Sequence, residues 1–289
     1  MEGKAAVIGV FDGVHKGHAT LIDILLKEAS RMQLVPFAIT FDPPPALFFN
    51  PYFSFLLTTS DEKKELLASM GLKRVDFIDF RLVANKEPED FIRDELIKRG
   101  IKLIVIGEGF RFGHKRRGDA GMLEEIGNFT VLSVKKECFE GDYISSTRIR
   151  ELLLLGHVHQ ANILLGYEYA LRGLREKGIG RAGSVLNTPT VNMKASEPHK
   201  LVPADSIYAV RFGSSRKPGV CYIGSSPTFG DGVHKIEVHL LDGPPDESEE
   251  MVVRFVARLR PDMRFDSVEA LRLKVKEDVE RARRLLSLS

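Results

Sequence analysis

The stretch Ala5-Ala6-Val7-Ile8-Gly9-Val10-Phe11-Asp12-Gly13-Val14-His15-Lys16-Gly17-His18 decides the fold. It opens on the short apolar run Ala5–Val10, which reads as a buried strand. It leads into Ala19–Met32, where Leu21, Ile22, Leu25, Leu26 and Ala29 line one helical face. A strand that enters an amphipathic helix through a glycine-rich turn is the start of a βαβ unit. The alternation continues, with strands predicted at Val35–Phe41, Val75–Phe80, Leu103–Gly107 and Thr130–Val134. Helices are predicted at Ser60–Met70, Pro88–Arg99 and Gly121–Ile126. Such a pattern makes a doubly wound parallel sheet, with helices on both faces and right-handed crossovers. Ligands of that architecture bind beyond the carboxyl ends of the strands, which is where the quoted turn lies.

The texture changes after about residue 156. A helix over Arg148–Leu155 ends at Gly156, a residue suited to the left-handed position after a helix, and His157–Tyr169 reads as a bridging helical stretch. Strands are then predicted at Tyr169–Leu174, Ile207–Phe212, Gly219–Ile223, Lys235–Leu241 and Met251–Leu259, separated by turns such as Asp242-Gly243-Pro244-Pro245. Lys235-Ile236-Glu237-Val238-His239-Leu240 alternates as a half-buried antiparallel strand does. A closing helix over Ser267–Leu286 carries Val268, Leu271, Val275, Val279, Ala282 and Leu286 on one stripe. The second half is therefore expected to be a small β-barrel or a sandwich with a terminal helix. Residues 1–156 form one domain in this reading, 157–168 a linker and 169–289 the second domain.

Composition narrows the function classes. Two domains are the natural division of 289 residues, and 43% hydrophobic with 28% charged residues is globular, not disordered. A formal net charge of +2 argues against a dedicated nucleic-acid binder while leaving room for one basic pocket. Cys138 and Cys221 show no zinc or CxxC spacing, which suits a reducing compartment. With neither a signal-peptide pattern nor an apolar run of membrane-spanning length, a soluble cytoplasmic protein is expected. Its partners would be small molecules, not nucleic acid or membrane, and it would be a monomer or weak homo-oligomer.

Four segments carry the chemistry of the first half. In the opening turn Gly13 and Gly17 permit close backbone approach, and His15 and His18 flank the N-terminus of a helix. Imidazole donors beside a positive dipole end make a phosphate site, with a metal site as the alternative. Thr40-Phe41-Asp42-Pro43-Pro44-Pro45 stiffens the loop after the second strand and holds Asp42 at the sheet edge. Gly107-Glu108-Gly109-Phe110-Arg111-Phe112-Gly113-His114-Lys115-Arg116-Arg117-Gly118 is a phosphate clamp or a solvated loop. Ile144-Ser145-Ser146-Thr147-Arg148-Ile149-Arg150 opens a helix with Ser145 or Ser146 as its cap. Its arginines oppose the helix dipole unless an anion binds there.

The string from Gly9 to His18 resembles the His-x-Gly-His nucleotidyltransferases, and its longer form is similar to the bacterial FAD synthetase module. The segments Thr40–Pro45, Gly107–Gly118 and Ser145–Arg150 match that module in order, with Pro44 in place of a common His and Gly109 in place of Asn or Asp. In the second half, Gly180-Arg181 with Pro189-Thr190-Val191-Asn192 resembles riboflavin kinases. Gly224–Phe229, Glu237-Val238-His239 with Asp242, and Arg260–Ser267 follow in the family's order. Asn187-Thr188, Tyr222 and Ser226 depart from its pattern, and the stretch before Pro189 is longer. The whole chain thus resembles the bifunctional riboflavin kinase/FAD synthetases.

That resemblance implies ATP-dependent phosphorylation of riboflavin to FMN, then adenylylation of FMN to FAD with release of pyrophosphate, and Mg²⁺ as cofactor. A Rossmann-like nucleotidyltransferase domain followed by a barrel is the implied fold. It implies catalytic roles for His15, His18, Arg148 and Glu237, the last as the base that deprotonates riboflavin. Nucleotide contacts fall to Gly9, Phe11, Asp12, Gly13, Gly17, Arg111, Ser146 and Thr147. Flavin contacts fall to Asp42, Phe110 and Arg260, and metal contacts to Thr190 and Asn192. The departures keep two other readings open: an adenylyltransferase with a degenerate kinase-like half, and a flavin or nucleotide sensor without turnover.

Overall fold

The computed structural model describes residues 3–176, 190–225, 235–243 and 250–287, and it divides into two compact units between Ser146 and Thr147. The first unit begins with β1 (Lys4–Ile8), α1 (Lys16–Arg31), β2 (Val35–Asp42), α2 (Pro45–Phe49), α3 (Ser60–Ser69) and β3 (Val75–Asp79). It continues with α4 (Phe80–Val83), α5 (Pro88–Phe91), β4 (Ile101–Gly107), α6 (Ala120–Gly127) and β5 (Thr130–Val134). A small hairpin, β6 (Cys138–Phe139) and β7 (Asp142–Tyr143), closes it. All five predicted strands are present, in a parallel sheet of order β3-β2-β1-β4-β5.

Period-two alternation explains why this sheet needs cover on both sides. Ala5, Val7, Ala38, Leu103 and Val105 pack against Leu21, Ile22, Leu25 and Ala29 of α1 and Leu67 of α3. Their neighbours Ala6, Ile8, Phe37, Ile39, Ile104 and Ile106 pack on the other face with Phe91, Ile92, Leu96 and Leu123. Two details differ from expectation. α1 starts at Lys16, before its apolar stripe begins, so periodicity alone placed its start too late. The helix expected over Pro88–Arg99 is broken into α5, a π turn at Ile92–Leu96 and a 3-10 turn at Ile97–Arg99.

The second unit holds nearly all of α7 (Ser146–Leu154), then α8 (Val158–Leu165), which ends at left-handed Gly166. Its sheet comprises β8 (Ala170–Glu176), β9 (Thr190–Ala195), β10 (Ser206–Phe212), β11 (Lys217–Gly224), β12 (Lys235–Leu240) and β13 (Glu250–Pro261). These close into a barrel of order β10-β11-β12-β9-β8-β13, which settles the choice between barrel and sandwich. Closure leaves no strand edge unpaired. Val191, Met193, Tyr208, Val210, Cys221, Val238, Val253 and Phe255 are buried along it. On the other face Ile207, Ala209, Val220 and Leu259 pack against Ala282 and Leu286 of α9 (Val268–Ser287). Among the described residues no helix is long and apolar enough to cross a membrane.

Candidate active sites

In the first unit β1 and β4 are neighbours, while the chain leaves them toward opposite edges of the sheet. Their carboxyl-end loops therefore flank the point where the winding reverses, and a crevice opens there by construction. The loop after β1 carries the quoted turn, and the loop after β4 carries Phe110 and Arg111. The turn is tightly wound, with Phe11 at φ 51, Gly13 at φ 84 and Val14 at φ 33. Two non-glycine residues in left-handed conformations within four positions mark stored strain, which the surrounding structure must hold.

His15 is the residue before α1 (φ −73, ψ 173), its carbonyl accepting from the His18 and Ala19 amides at 2.7 and 3.0 Å. The His15 and His18 rings stack with centroids 3.7 Å apart and planes 15° apart, and His18 meets Phe11 edge-on at 5.1 Å. A Cβ on Gly17 would stand 3.3 Å from the His15 ring, so the glycine clears room for the stack. Burial holds the His15 pKa down, from 6.5 to about 4. His18 lies well below its ordinary value, through burial first and then the charges of His15 and Lys63. Both rings are thus neutral near pH 7 and act as hydrogen-bonding groups, not cations. The Nδ1 atom of each is buried with no partner. Unpaired buried polar atoms on both rings, at the N-terminus of a 16-residue helix with no acid in its first turn, suit an anionic ligand.

The other expected residues take varied places. Phe11 is 1% exposed and belongs to the core. The Asp12 carboxylate accepts from the Leu57 and Thr58 amides at 2.9 and 3.0 Å and from the Thr58 hydroxyl at 3.3 Å. The Gly13 amide in turn donates to Thr58 Oγ1 at 3.0 Å. Asp12 and Gly13 therefore tie the turn to the segment before α3. Gly9 follows β1 directly and donates to the Ile39 carbonyl at 3.1 Å. Asp42 ends β2, opposite Asp79. Phe110 stacks on Phe112 at 5.8 Å. Arg111 pairs with Asp119 at 3.0 Å and Arg117 with Glu87 at 3.0 Å, so part of the basic loop's charge is compensated within the protein. Ser146 is the first residue of α7, not its cap, and its hydroxyl donates to the Asp12 carbonyl at 2.8 Å. Thr147 and Arg148 follow in the same helical turn, which contains no acid.

Sequence reasoning passed over Lys63. It lies in the first half of α3, 2% exposed, with Nζ 3.5 Å from Thr40 Oγ1, which donates to the Val10 carbonyl at 3.1 Å. The run Asp61-Glu62-Lys63-Lys64-Glu65 reads as a solvated charged face, and nothing in it marks one lysine as buried.

In the second unit the register lines up the expected residues. Asn192 pairs with Glu237, Glu237 with Tyr222, Tyr222 with Ile207 and Ile207 with Arg260. Direct cross-strand partners share a face, and Ile207 places this row on the face packed by α9. Burial raises the Glu237 pKa above the ordinary carboxylate value, while a hydrogen bond from Thr190 and the Lys235 charge act against the rise. The upward shift suits a proton acceptor. Tyr222 donates to Asp262 at 3.1 Å. Arg260 is held in an ion pair with Asp278 of α9 at 2.9 Å. Gly180, Arg181, Asn187, Thr188, Pro189 and the segment Ser226–Phe229 lie outside the described residues. No cluster of three or more His, Cys, Asp or Glu that could hold a metal occurs among the described residues.

Comparison with known proteins follows the same division. The family model for FAD synthetase matches residues 1–148 and that for riboflavin kinase residues 165–286. The bifunctional riboflavin kinase/FMN adenylyltransferase of Escherichia coli K12 is 33% identical, covering 100% of this chain and 94% of its own length. Its counterpart from Listeria monocytogenes is 30% identical, over 97% of this chain and 91% of its own. A crystal structure from Streptococcus pneumoniae, described as a macrolide-efflux protein, superposes with a TM-score of 0.88 at 29% identity. It spans 98% of this chain and 94% of that one. With both modules matched end to end, the chain belongs to the bifunctional riboflavin kinase/FMN adenylyltransferase family.

Proposed function

We propose that adenylyl transfer takes place at the β1–α1 turn and riboflavin phosphorylation at the barrel row of Asn192, Glu237 and Tyr222. In the first unit a phosphate oxygen of FMN attacks the α-phosphorus of ATP, the bond to the β-phosphate breaks, and pyrophosphate leaves with FAD formed. Both reactants are anionic, so alignment and charge stabilisation carry the rate, and no nucleophilic side chain is needed. Neutral His15 and His18 donate hydrogen bonds to the polyphosphate, beside the Lys16 and Gly17 amides that open α1. Arg148 is assigned the supply of fixed positive charge, and Arg111, which pairs with Asp119, a contact to the nucleotide. Asp42 and Phe110, at the strand ends, are assigned to the flavin. The stacked imidazole pair with two buried unpartnered nitrogens is the observation that carries this reading.

In the second unit Glu237 takes the proton from the riboflavin 5′-hydroxyl as that oxygen attacks the γ-phosphorus, and ADP departs. Mg²⁺ fits here as a hard cation, because the Thr190 hydroxyl and Asn192 amide oxygen are the donor type it takes alongside phosphates. Its chemistry would be to neutralise charge on the phosphates. Arg260, at the end of the same row, is assigned to the flavin. The partners are small molecules, and the setting is cytoplasmic, where free Cys138 and Cys221 are stable.

Purified chain given riboflavin, or separately FMN, with Mg-ATP should yield FMN and FAD. His18→Ala should lower adenylylation by about 10²–10³-fold and leave FMN formation unchanged, by loss of one preorganised donor. Glu237→Gln should do the reverse. Adenylylation at the wild-type rate in His18→Ala would remove the turn from the mechanism. FAD from FMN without FMN from riboflavin would favour an adenylyltransferase with an inactive second unit, the reading that Tyr222 motivates.

A further inference from the structure

Lys63 is a buried cation that the scheme above leaves without a task. An ammonium at 2% exposure near the N-terminal end of a helix is doubly disfavoured, by desolvation and by the dipole. Its surroundings compensate in part: burial lowers its pKa from the ordinary value, and the charges of Asp12 and Asp42 oppose that shift. The end of β2 supplies Thr40 at 3.5 Å and the charge of Asp42, while the loop after β1 supplies the charge of Asp12. The same loop ends at His15, the first turn of α1 presents His18, and the Lys63 charge reaches His18. A capping box between Thr59 and Glu62 fixes the helical turn from which Lys63 projects. The contacts then run from Lys63 to Thr40, from Thr40 to the Val10 carbonyl, and from Asp12 to Leu57 and Thr58.

We propose that Lys63 is a positioning residue for adenylyl transfer: its buried ammonium braces the carboxyl ends of β1 and β2 and holds the imidazole pair in its phosphate-binding geometry. The inference rests on the assignment of the β1–α1 turn as the adenylyl-transfer site. A buried positive charge under that turn also makes the floor of the site attractive to polyphosphate. It disfavours protonation of His18 as well, so the ring stays a neutral donor. Asp12, Asp42 and His18 are the titratable groups coupled to it, and His15 acts in turn on His18.

The test uses the full chain with Lys63→Met and Lys63→Arg, and riboflavin phosphorylation as the internal control. Lys63→Met should lose about 10²-fold in adenylyl kcat, as for one misplaced donor, with the KM for ATP little changed and the kinase rate intact. The acid limb of its adenylyl pH profile should move to higher pH, because removing a nearby positive charge lets His18 bind its proton more readily. Lys63→Arg should recover most of the rate. Wild-type adenylyl kcat in Lys63→Met overturns the proposal, as does a loss with an unmoved acid limb and no rescue by arginine. Should Lys63→Met not fold, Thr40→Val takes its place. It removes the oxygen contact, keeps the charge, and should cost about tenfold in kcat, whereas full activity overturns the proposal. His18→Ala run in parallel separates the two failures: retained activity there sinks the site assignment, while its loss beside an active Lys63→Met sinks Lys63 alone.

Discussion

At the scale of single residues, burial gives His15 a role in stability as well as in chemistry. Its pKa of about 4 in the folded chain lies below the ordinary 6.5, so between those values the unfolded chain binds the proton first. The stability contributed by the buried neutral ring is complete above about pH 6.5 and drains as pH falls toward 4, amounting to about 3 kcal/mol. His18, depressed from the same ordinary value, acts in the same direction. Urea unfolding followed across this window should show the midpoint falling with acidity, and His15→Asn should flatten part of the slope. An equal slope in the variant would mean that the His15 ring is not held neutral. Asp12 teaches a related lesson. Its place in the motif suggested a nucleotide contact, yet its carboxylate is engaged by Leu57 and Thr58, and residue type alone gives no hint of a partner 45 positions away.

At the scale of elements, what was legible followed from periodicity and what was missed followed from chemistry that periodicity does not carry. The five parallel strands announced themselves as apolar runs because both faces of that sheet are buried. β9 lies outside the predicted strands, since the polar motif residues Thr190 and Asn192 mask the short alternation of buried Val191 and Met193. The start of α1 was hidden because His15 precedes the helix without a side-chain cap. That same helical end offers a test. Alanine at Gly17 should suit the helix by up to about 1 kcal/mol, but its Cβ would press on the His15 ring at 3.3 Å. Gly17→Ala should therefore keep or raise the melting temperature while lowering adenylylation by about tenfold to a hundredfold through misplacement of the ring. A variant both stable and fully active would show that the stacked geometry is not needed for turnover.

At the scale of the whole molecule, the division into two units explains why two activities can share one chain without sharing a core. The parallel sheet is covered on both faces within residues up to Ser146, and the barrel closes on its own strands. The resemblance read from sequence reached this scale intact because the motifs of each half occur in order, and the two family models fall on either side of residues 149–164. Arg148 is the instructive case. It ends the FAD synthetase match, yet it sits on a helix that belongs to the second unit from Thr147 onward. The product of the kinase reaction is the substrate of the adenylyl transfer, so damage confined to one unit should be curable by an intact copy of that unit on another chain. His18→Ala alone, fed riboflavin and Mg-ATP, should stop at FMN, and Glu237→Gln alone should make neither product from riboflavin. An equimolar mixture should make FAD after a lag, because FMN released by one chain must reach the concentration at which the other captures it. Raising the concentration of both variants should shorten the lag, as accumulation of a free intermediate requires. A mixture that makes FMN but never FAD would mean that FMN does not pass between chains, and each pair of sites would then have to work within one molecule.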